Sequence, residues 1–169
     1  KARNVFLALT EEASNHLVSM RKREGLMLHE DLMQHHEVIT NALAKVRERA
    51  PLVVEEFEER LRARVQSMLD EAGISAEPVE IIREIAIYAE KSDIAEEVAR
   101  LDAHLSQFRD LITNPEGTSV GRTLDFLAQE MLREANTIAS KSSDAEISRE
   151  TVAIKGAIDR IKEQVQNVE

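Results

Sequence analysis

The chain has 169 residues, of which 32 are acidic and 22 basic, so its formal net charge is −10. That length supports one domain with a substantial core, and the absence of cysteine excludes disulfide scaffolds, zinc ribbons, iron–sulfur clusters and cysteine nucleophiles. Apolar runs are short and no signal peptide begins the sequence, so we expect a soluble, cytoplasmic protein without a membrane span. Because the sequence does not begin with methionine, we expect a piece of a longer protein.

The first predicted element is an unusually long amphipathic helix over 4–49. Its apolar residues follow at spacings of three and four: Phe6, Leu9, Ala13, Leu17 and Met20. Such a stripe is close to a coiled-coil pattern and predicts a partner helix along most of its length. Pro51 is typical of a first helical turn, so we expect a second helix from there to about Gly73.

Three further helices complete the predicted fold. The third runs from Pro78 to about Ile112, and the fourth follows a loop at 113–118 and extends over 120–138. The pattern Ser143-Asp144-Ala145-Glu146 fits a capping box with Ser143 as the cap, and it predicts the start of a last helix that continues to Val168. No strand alternation is present. The predicted fold class is all-α, with long helices in a bundle and an extended N-terminal coiled-coil-like arm.

Polar side chains at helical spacing on the third and fourth predicted helices form the main candidate site. On each helix four of them share one face, at intervals of four, three and four: Asp93, Glu97, Arg100 and His104, then Glu130, Glu134, Thr137 and Lys141. If the helices pack antiparallel, these faces form a carboxylate–imidazole cluster suited to acid–base or metal-assisted chemistry. The same pattern fits an interhelical salt-bridge network, which the spacing alone favours.

Basic residues offer contacts to phosphate. Arg21-Lys22-Arg23 is a compact basic run in mid-helix, and Arg122, Arg133 and Lys141 accompany the acidic cluster. Charge is uneven along the chain, since 51–112 carries 15 acidic against 7 basic residues. Aromatic residues amount to only 3%, so base stacking is not expected to be the main mode of nucleic-acid binding.

Several runs of the sequence resemble the YicC family. Residues 121–142 (GRTLDFLAQEMLREANTIASKS) and the ending 161–169 (IKEQVQNVE) resemble its C-terminal domain. Residues 93–105 (DIAEEVARLDAHL) are similar to its acidic helix, and Arg23-Glu24-Gly25 with Leu28 and Asp31-Leu32 is similar to a further stretch. The resemblance spans nearly the whole chain and is weaker between 51 and 80.

The resemblance implies a bacterial cytoplasmic endoribonuclease of RNA turnover, formerly called a stress-induced protein. It also implies hexamers whose interior admits RNA, with a mixed α/β domain before the helical half. On this basis 1–50 is the connecting arm, 51–169 is the helical C-terminal domain, and the N-terminal domain lies outside the chain. RNA, further copies of the chain and other RNA-degradation enzymes are the expected partners, and no membrane is expected.

The resemblance adds weight to the polar cluster as a nuclease site. The catalytic candidates are Glu97, His104, Glu130 and Glu134. The RNA-binding candidates are Arg21, Lys22, Arg23, Arg122, Arg133, Asn136 and Lys141. A divalent cation, manganese or magnesium, is implied, and its candidate ligands are Asp93, Glu96, Glu97, Glu130 and Glu134. Two alternatives stay open: an oligomerisation scaffold, and an adaptor that delivers RNA to another nuclease.

Overall fold

Five α-helices make up nearly all of residues 2–72, 78–114 and 120–166, which are the residues that the computed structural model describes. They are α1 (Ala2–Ala72), α2 (Pro78–Ser92), α3 (Ala95–Thr113), α4 (Val120–Lys141) and α5 (Ala145–Val165). No strand occurs in these ranges. The all-α prediction is confirmed.

Four of the helices form a bundle in which each packs against two neighbours. The later part of α1 contacts α3 and α5, and α4 contacts the same two helices from the opposite side. Because each helix repeats apolar residues every three or four positions, it turns one stripe inward, and these stripes form a single core around Phe108, Leu101 and Ile154. Helix α2 lies against α1, where the rings of Phe57 and Tyr88 stack with their centroids 3.7 Å apart.

The first part of α1 is an arm that projects from the bundle. Residues 3–27 are exposed, and contact with the core begins at Leu28 and Leu32. The long first helix with an N-terminal arm is confirmed, but the arm ends near residue 27 rather than at 50. From Leu28 onward α3 and α5 supply the expected partner helices, whereas nothing in the described part of the chain covers residues 3–27. At 1.5 Å per residue, the 71 residues of α1 extend for about 105 Å. Within the described ranges, no helix is both long and apolar enough to cross a membrane.

The predicted helix boundary at Pro51 is wrong, because α1 continues through this residue. A proline inside a helix removes one hydrogen bond, here the one to the carbonyl of Arg47, yet its φ angle is compatible with the helix. The Arg49 guanidinium donates to both carboxylate oxygens of Glu56, at 2.6 and 2.8 Å, and so links the turns on either side of the proline. Val53, two residues after Pro51, is buried, and its burial also favours continuation of the helix.

The predicted single helix from Pro78 to Ile112 is also wrong, because it is divided between Ser92 and Ala95. The Ser92 hydroxyl donates to the Tyr88 carbonyl at 2.8 Å, and the Asp93 carboxylate accepts the Ala95 N–H at 2.9 Å. These side chains offer the backbone local partners that end one helix and begin the next.

The start of the last helix is confirmed, with a different cap residue from the predicted one. The Asp144 carboxylate, rather than the Ser143 hydroxyl, accepts the N–H groups of Glu146 and Ile147, both at 3.0 Å. The predicted end at Val168, the stop at Gly73 and most of the loop 113–118 lie outside the described residues.

Candidate functional site

Two ion pairs cross the interface between α3 and α4 in opposite directions. Lys141 of α4 donates from Nζ to Glu97 Oε1 of α3 at 2.8 Å, and also to the Asp93 carbonyl oxygen at 3.0 Å. Arg100 of α3 places a guanidinium nitrogen 3.9 Å from Glu134 Oε1 of α4. The contacts show that the two helices run antiparallel, which is the condition under which the sequence analysis expected their polar faces to meet. They form the interhelical salt-bridge network that the sequence left open as an alternative.

The carboxylates of these two pairs are buried. Glu97 and Glu134 are each only 5% exposed, whereas the side chains of Lys141 and Arg100 reach solvent. The hydrogen bond to Glu97 raises the pKa of Lys141, against the opposing effect of desolvation, and the negative charges of Glu97 and Asp93 add to the increase. Glu97 Oε2 is buried without a hydrogen-bond partner within the described part of the chain. Both carboxylates are therefore positioned as structural partners of cations.

A second level of the same interface carries the other two catalytic candidates. His104 lies one turn after Arg100 on α3, and Glu130 lies one turn before Glu134 on α4, so both belong to the part of the interface beyond the Arg100–Glu134 pair. The Glu130 side chain is 28% exposed, and its Oε2 lies 3.8 Å from the Arg133 guanidinium. His104 is half-buried, and its Nδ1 has no hydrogen-bond partner among the described residues. Glu130 and His104 thus differ from Glu97 and Glu134 in being only partly buried.

The five candidate metal ligands do not converge on one point. Over 2–72, 78–114 and 120–166, no group of three or more His, Asp or Glu side chains is arranged to hold a metal ion. Each carboxylate has another contact: Asp93 accepts the Ala95 N–H, Glu96 and Glu134 lie beside Arg100, Glu97 binds Lys141, and Glu130 lies beside Arg133. The described residues of one chain therefore do not fit a metal centre.

The candidate RNA-binding residues fall into three places. Arg21, Lys22 and Arg23 are exposed on the arm, away from the bundle core. Arg122, Arg133 and Asn136 lie together on the outer face of α4, all exposed. Lys141 is turned towards α3, where Glu97 and Asp93 hold it. The structure thus brings together only the three candidates on the outer face of α4.

Sequence reasoning missed two features of the bundle. Arg49 binds Asp144 at 2.8 Å as well as Glu56, and its guanidinium lowers the pKa of both carboxylates. This contact joins α1 to the beginning of α5, and nothing along the sequence links those positions. Phe126 is exposed on α4 in line with Arg122 and Arg133, a feature that the helical spacing of the sequence already contained.

Comparison with known proteins adds the following similarities. Residues 46–169 match the family described as endoribonuclease YicC-like, C-terminal. The chain is 40% identical over 159 residues to a probable endoribonuclease YicC of Clostridioides difficile (strain 630), covering 94% of the chain and 53% of that protein. It is 34% identical over 164 residues to a probable endoribonuclease YicC of Haemophilus influenzae (strain ATCC 51907 / DSM 11121 / KW20 / Rd), covering 97% of the chain and 55% of that protein. The chain thus spans about half the length of the curated relatives it matches.

Proposed function

Because the chain belongs to the YicC-like endoribonuclease family, we propose that it forms part of an enzyme that cleaves RNA phosphodiester bonds in RNA turnover. One observation carries the proposal beyond family membership. The carboxylate of Glu130 lies 3.8 Å from the guanidinium of Arg133, on a partly accessible face of α4. A carboxylate that can accept a proton and a cation that can bind phosphate are therefore adjacent, and we propose His104 of the facing helix as the proton donor.

The proposed reaction uses these three groups in one displacement at phosphorus. Glu130 accepts the proton of an RNA 2′-hydroxyl, whose oxygen attacks the adjacent phosphorus atom. Arg133 stabilises the charge on the non-bridging phosphate oxygens. The bond from phosphorus to the 5′-oxygen breaks, and the imidazolium of His104 gives its proton to that leaving oxygen. The products are a 2′,3′-cyclic phosphate and a free 5′-hydroxyl.

Glu97 and Glu134 have a positioning role in this proposal. Their burial and their pairing with Lys141 and Arg100 support the view that they fix the register of α3 against α4. The same register brings the helix faces that carry His104 and Glu130 together. Replacing either buried carboxylate is expected to weaken the packing of α3 on α4, without removing a group that contacts RNA.

The charge of the chain must be reconciled with RNA binding. A net charge of −10 repels phosphates, whose binding depends on neutralisation by Lys and Arg. We propose that assembly of several chains, as homohexamers in the cytoplasm, concentrates the basic residues of the arm and of α4 along one RNA path. This part of the proposal rests on the family resemblance. The same resemblance supports two further proposals, that manganese or magnesium contributes to cleavage and that the protein associates with other RNA-degradation enzymes.

The experiment is a cleavage assay on a structured RNA with matched charge-neutral variants. Glu130→Gln is expected to abolish internal cuts, with the helical circular-dichroism signal retained. Glu59→Gln, which removes the same charge from an exposed position on α1, is the control and is expected to cut like wild type. Cleavage by Glu130→Gln at the wild-type rate would remove Glu130 from the proposed mechanism.

A specific observation also favours an oligomerisation scaffold as a second candidate function. The exposed arm carries a series of large apolar side chains that the described chain leaves uncovered: Val5, Phe6, Leu7, Leu9, Leu17, Val18, Met20, Leu26 and Met27. Patches of this kind mark sites of association. Light scattering that finds an assembly without any RNA cleavage would favour the scaffold, and RNA binding without products would favour the adaptor.

A further inference from the structure

One line of exposed side chains follows the outer face of α4 from end to end. Its members are spaced by four, three, four, three and four residues: Arg122, Phe126, Gln129, Arg133, Asn136 and Ser140. This spacing keeps all six on one side of a helix, and all six are exposed. We refer to these six residues as the α4 stripe. Five of them are polar or positively charged, and Phe126 is the exception.

Phe126 and Phe6 are the two exposed phenylalanines among the described residues. Phe126 is 58% exposed on the bundle and Phe6 is 75% exposed on the arm, whereas Phe108 is fully buried in the core and Phe57 stacks on Tyr88. Phe126 differs from Phe6 in its surroundings, because Arg122 and Arg133 are exposed on the same face of the helix. An aromatic ring with a cation on either side, rather than exposure alone, is what points to a binding role for Phe126.

We propose that Phe126 is a stacking platform for an unpaired base of RNA, an inference that rests on the proposed RNA-cleaving function of α4. Aromatic rings bind single-stranded nucleic acid by stacking on bases, while nearby cations contact the phosphates. Arg122 lies one turn before Phe126, and Arg133 lies two turns after it, about 10 Å along the helix axis. The stripe thus has positive charge on both sides of the ring.

The remaining members of the α4 stripe match a nucleic-acid partner better than a protein partner. Gln129, Arg133, Asn136 and Ser140 line a shallow depression together with Leu132 and Thr137. Amide and hydroxyl groups of this kind can hydrogen-bond base edges and sugar hydroxyls. An apolar protein partner would be expected to meet further apolar side chains around Phe126, and the stripe provides none. The substrate class that follows is RNA with unpaired nucleotides at the bound position.

The test measures binding of the full chain to a short single-stranded oligoribonucleotide by fluorescence anisotropy. Phe126→Leu keeps an apolar side chain and removes the ring, so binding is expected to weaken by about 5- to 150-fold, the range for one stacked base. Phe126→Tyr keeps the ring and is expected to restore most of the affinity. Against an oligonucleotide of abasic sites, wild type and Phe126→Leu are expected to bind equally.

The salt dependence separates stacking from phosphate contact. Phe126→Leu is expected to leave the slope of log Kd against log salt concentration unchanged, because the ring releases no counterions. Arg133→Gln is expected to reduce that slope by about one, and Arg64→Gln on the exposed face of α1 serves as the matched control. Since the chain has no tryptophan, Phe126→Trp also places a single fluorophore at the site, and RNA is expected to quench its emission.

Each possible result bears on a different part of the reasoning. If wild type binds RNA and Phe126→Leu binds it equally well, the stacking inference fails and the proposed function stands. If wild type binds no RNA, both fail. A change in molecular mass of Phe126→Leu by light scattering, with unchanged RNA affinity, would assign the ring to a protein contact and would also overturn the inference.

Discussion

Replacing Glu97 by glutamine separates a structural role of this carboxylate from a catalytic one. The side chain is 5% exposed, its Oε1 accepts a hydrogen bond from Lys141 at 2.8 Å, and its Oε2 has no partner among the described residues. Glutamine keeps the shape and one acceptor oxygen, but its amide N–H groups are expected to replace the buried Oε2, which has no hydrogen-bond partner among the described residues. The variant therefore buries unsatisfied donors and removes the charge that Lys141 faces.

The expected loss of stability follows from that geometry. Burying an unsatisfied hydrogen-bonding group costs about 1–3 kcal/mol of the free energy of unfolding. For a domain of this size each kcal/mol lowers the Tm by roughly 2–4 °C, so Glu97→Gln is expected to melt roughly 2–12 °C below wild type. Glu96→Gln is the matched control, because the neighbouring Glu96 side chain is 69% exposed and a surface change of this kind is worth about 0.5 kcal/mol or less.

Thermal unfolding by circular dichroism and RNA cleavage at low temperature are the paired assays. If Glu97 only positions α3 against α4, the folded Glu97→Gln variant melts early and still cuts RNA. A variant with the wild-type Tm and no cleavage would refute this reasoning, because it would place Glu97 in the chemistry.

Three further predictions concern the bundle and the arm. Arg49 lowers the pKa of Asp144 below 3.8 and that of Glu56 below 4.5. The stabilisation by these ion pairs is therefore present above these unfolded-state pKa values and is lost as the pH falls through the lower folded-state pKa values. In an acid titration, Arg49→Met is expected to show a shallower loss of stability below about pH 4.5. Burial lowers the pKa of His36 below 6.5, so the unfolded chain binds the proton more readily and the protein loses stability as the pH falls below 6.5. The variant His36→Gln can still donate to the Leu105 carbonyl, and its stability in urea titrations is expected to lack this pH dependence. Deleting residues 1–27, of which 3–27 are exposed and outside the core, is expected to leave the Tm within about 2 °C of wild type. A larger decrease would show that the arm packs on the bundle.

The sequence is sufficient to predict that the elements are α-helices, but it does not predict the helix boundaries correctly at Pro51 and between Ser92 and Ala95. Regular apolar spacing predicted the helical segments, because a stripe repeated every three or four residues can be buried only from a helix. Pro51 was misleading, since the Arg49–Glu56 contact across it depends on side-chain geometry that local rules do not contain. Ser92 and Asp93 carried a signal for the division of the third predicted helix, but the continuing apolar pattern on both sides obscured it.

The candidate site was predicted in part for a similar reason. Spacing correctly placed Glu97 and Glu134 on facing surfaces of antiparallel helices, because side chains three or four residues apart share a face. Spacing could not tell which carboxylates would be buried in ion pairs and which would stay accessible. Which carboxylate is buried depends on the register of α3 against α4. In this register Glu134 is buried, whereas Glu130 stays partly accessible.

The most direct test of the account is incubation of the purified chain with a structured RNA, in manganese, in magnesium and in EDTA. Wild type is expected to make internal cuts that are absent from Glu130→Gln under the same conditions, with both proteins equally helical. If the folded wild-type chain binds RNA and makes no cut in any of the three conditions, the catalytic assignment of α4 is contradicted and the chain is a scaffold or an adaptor.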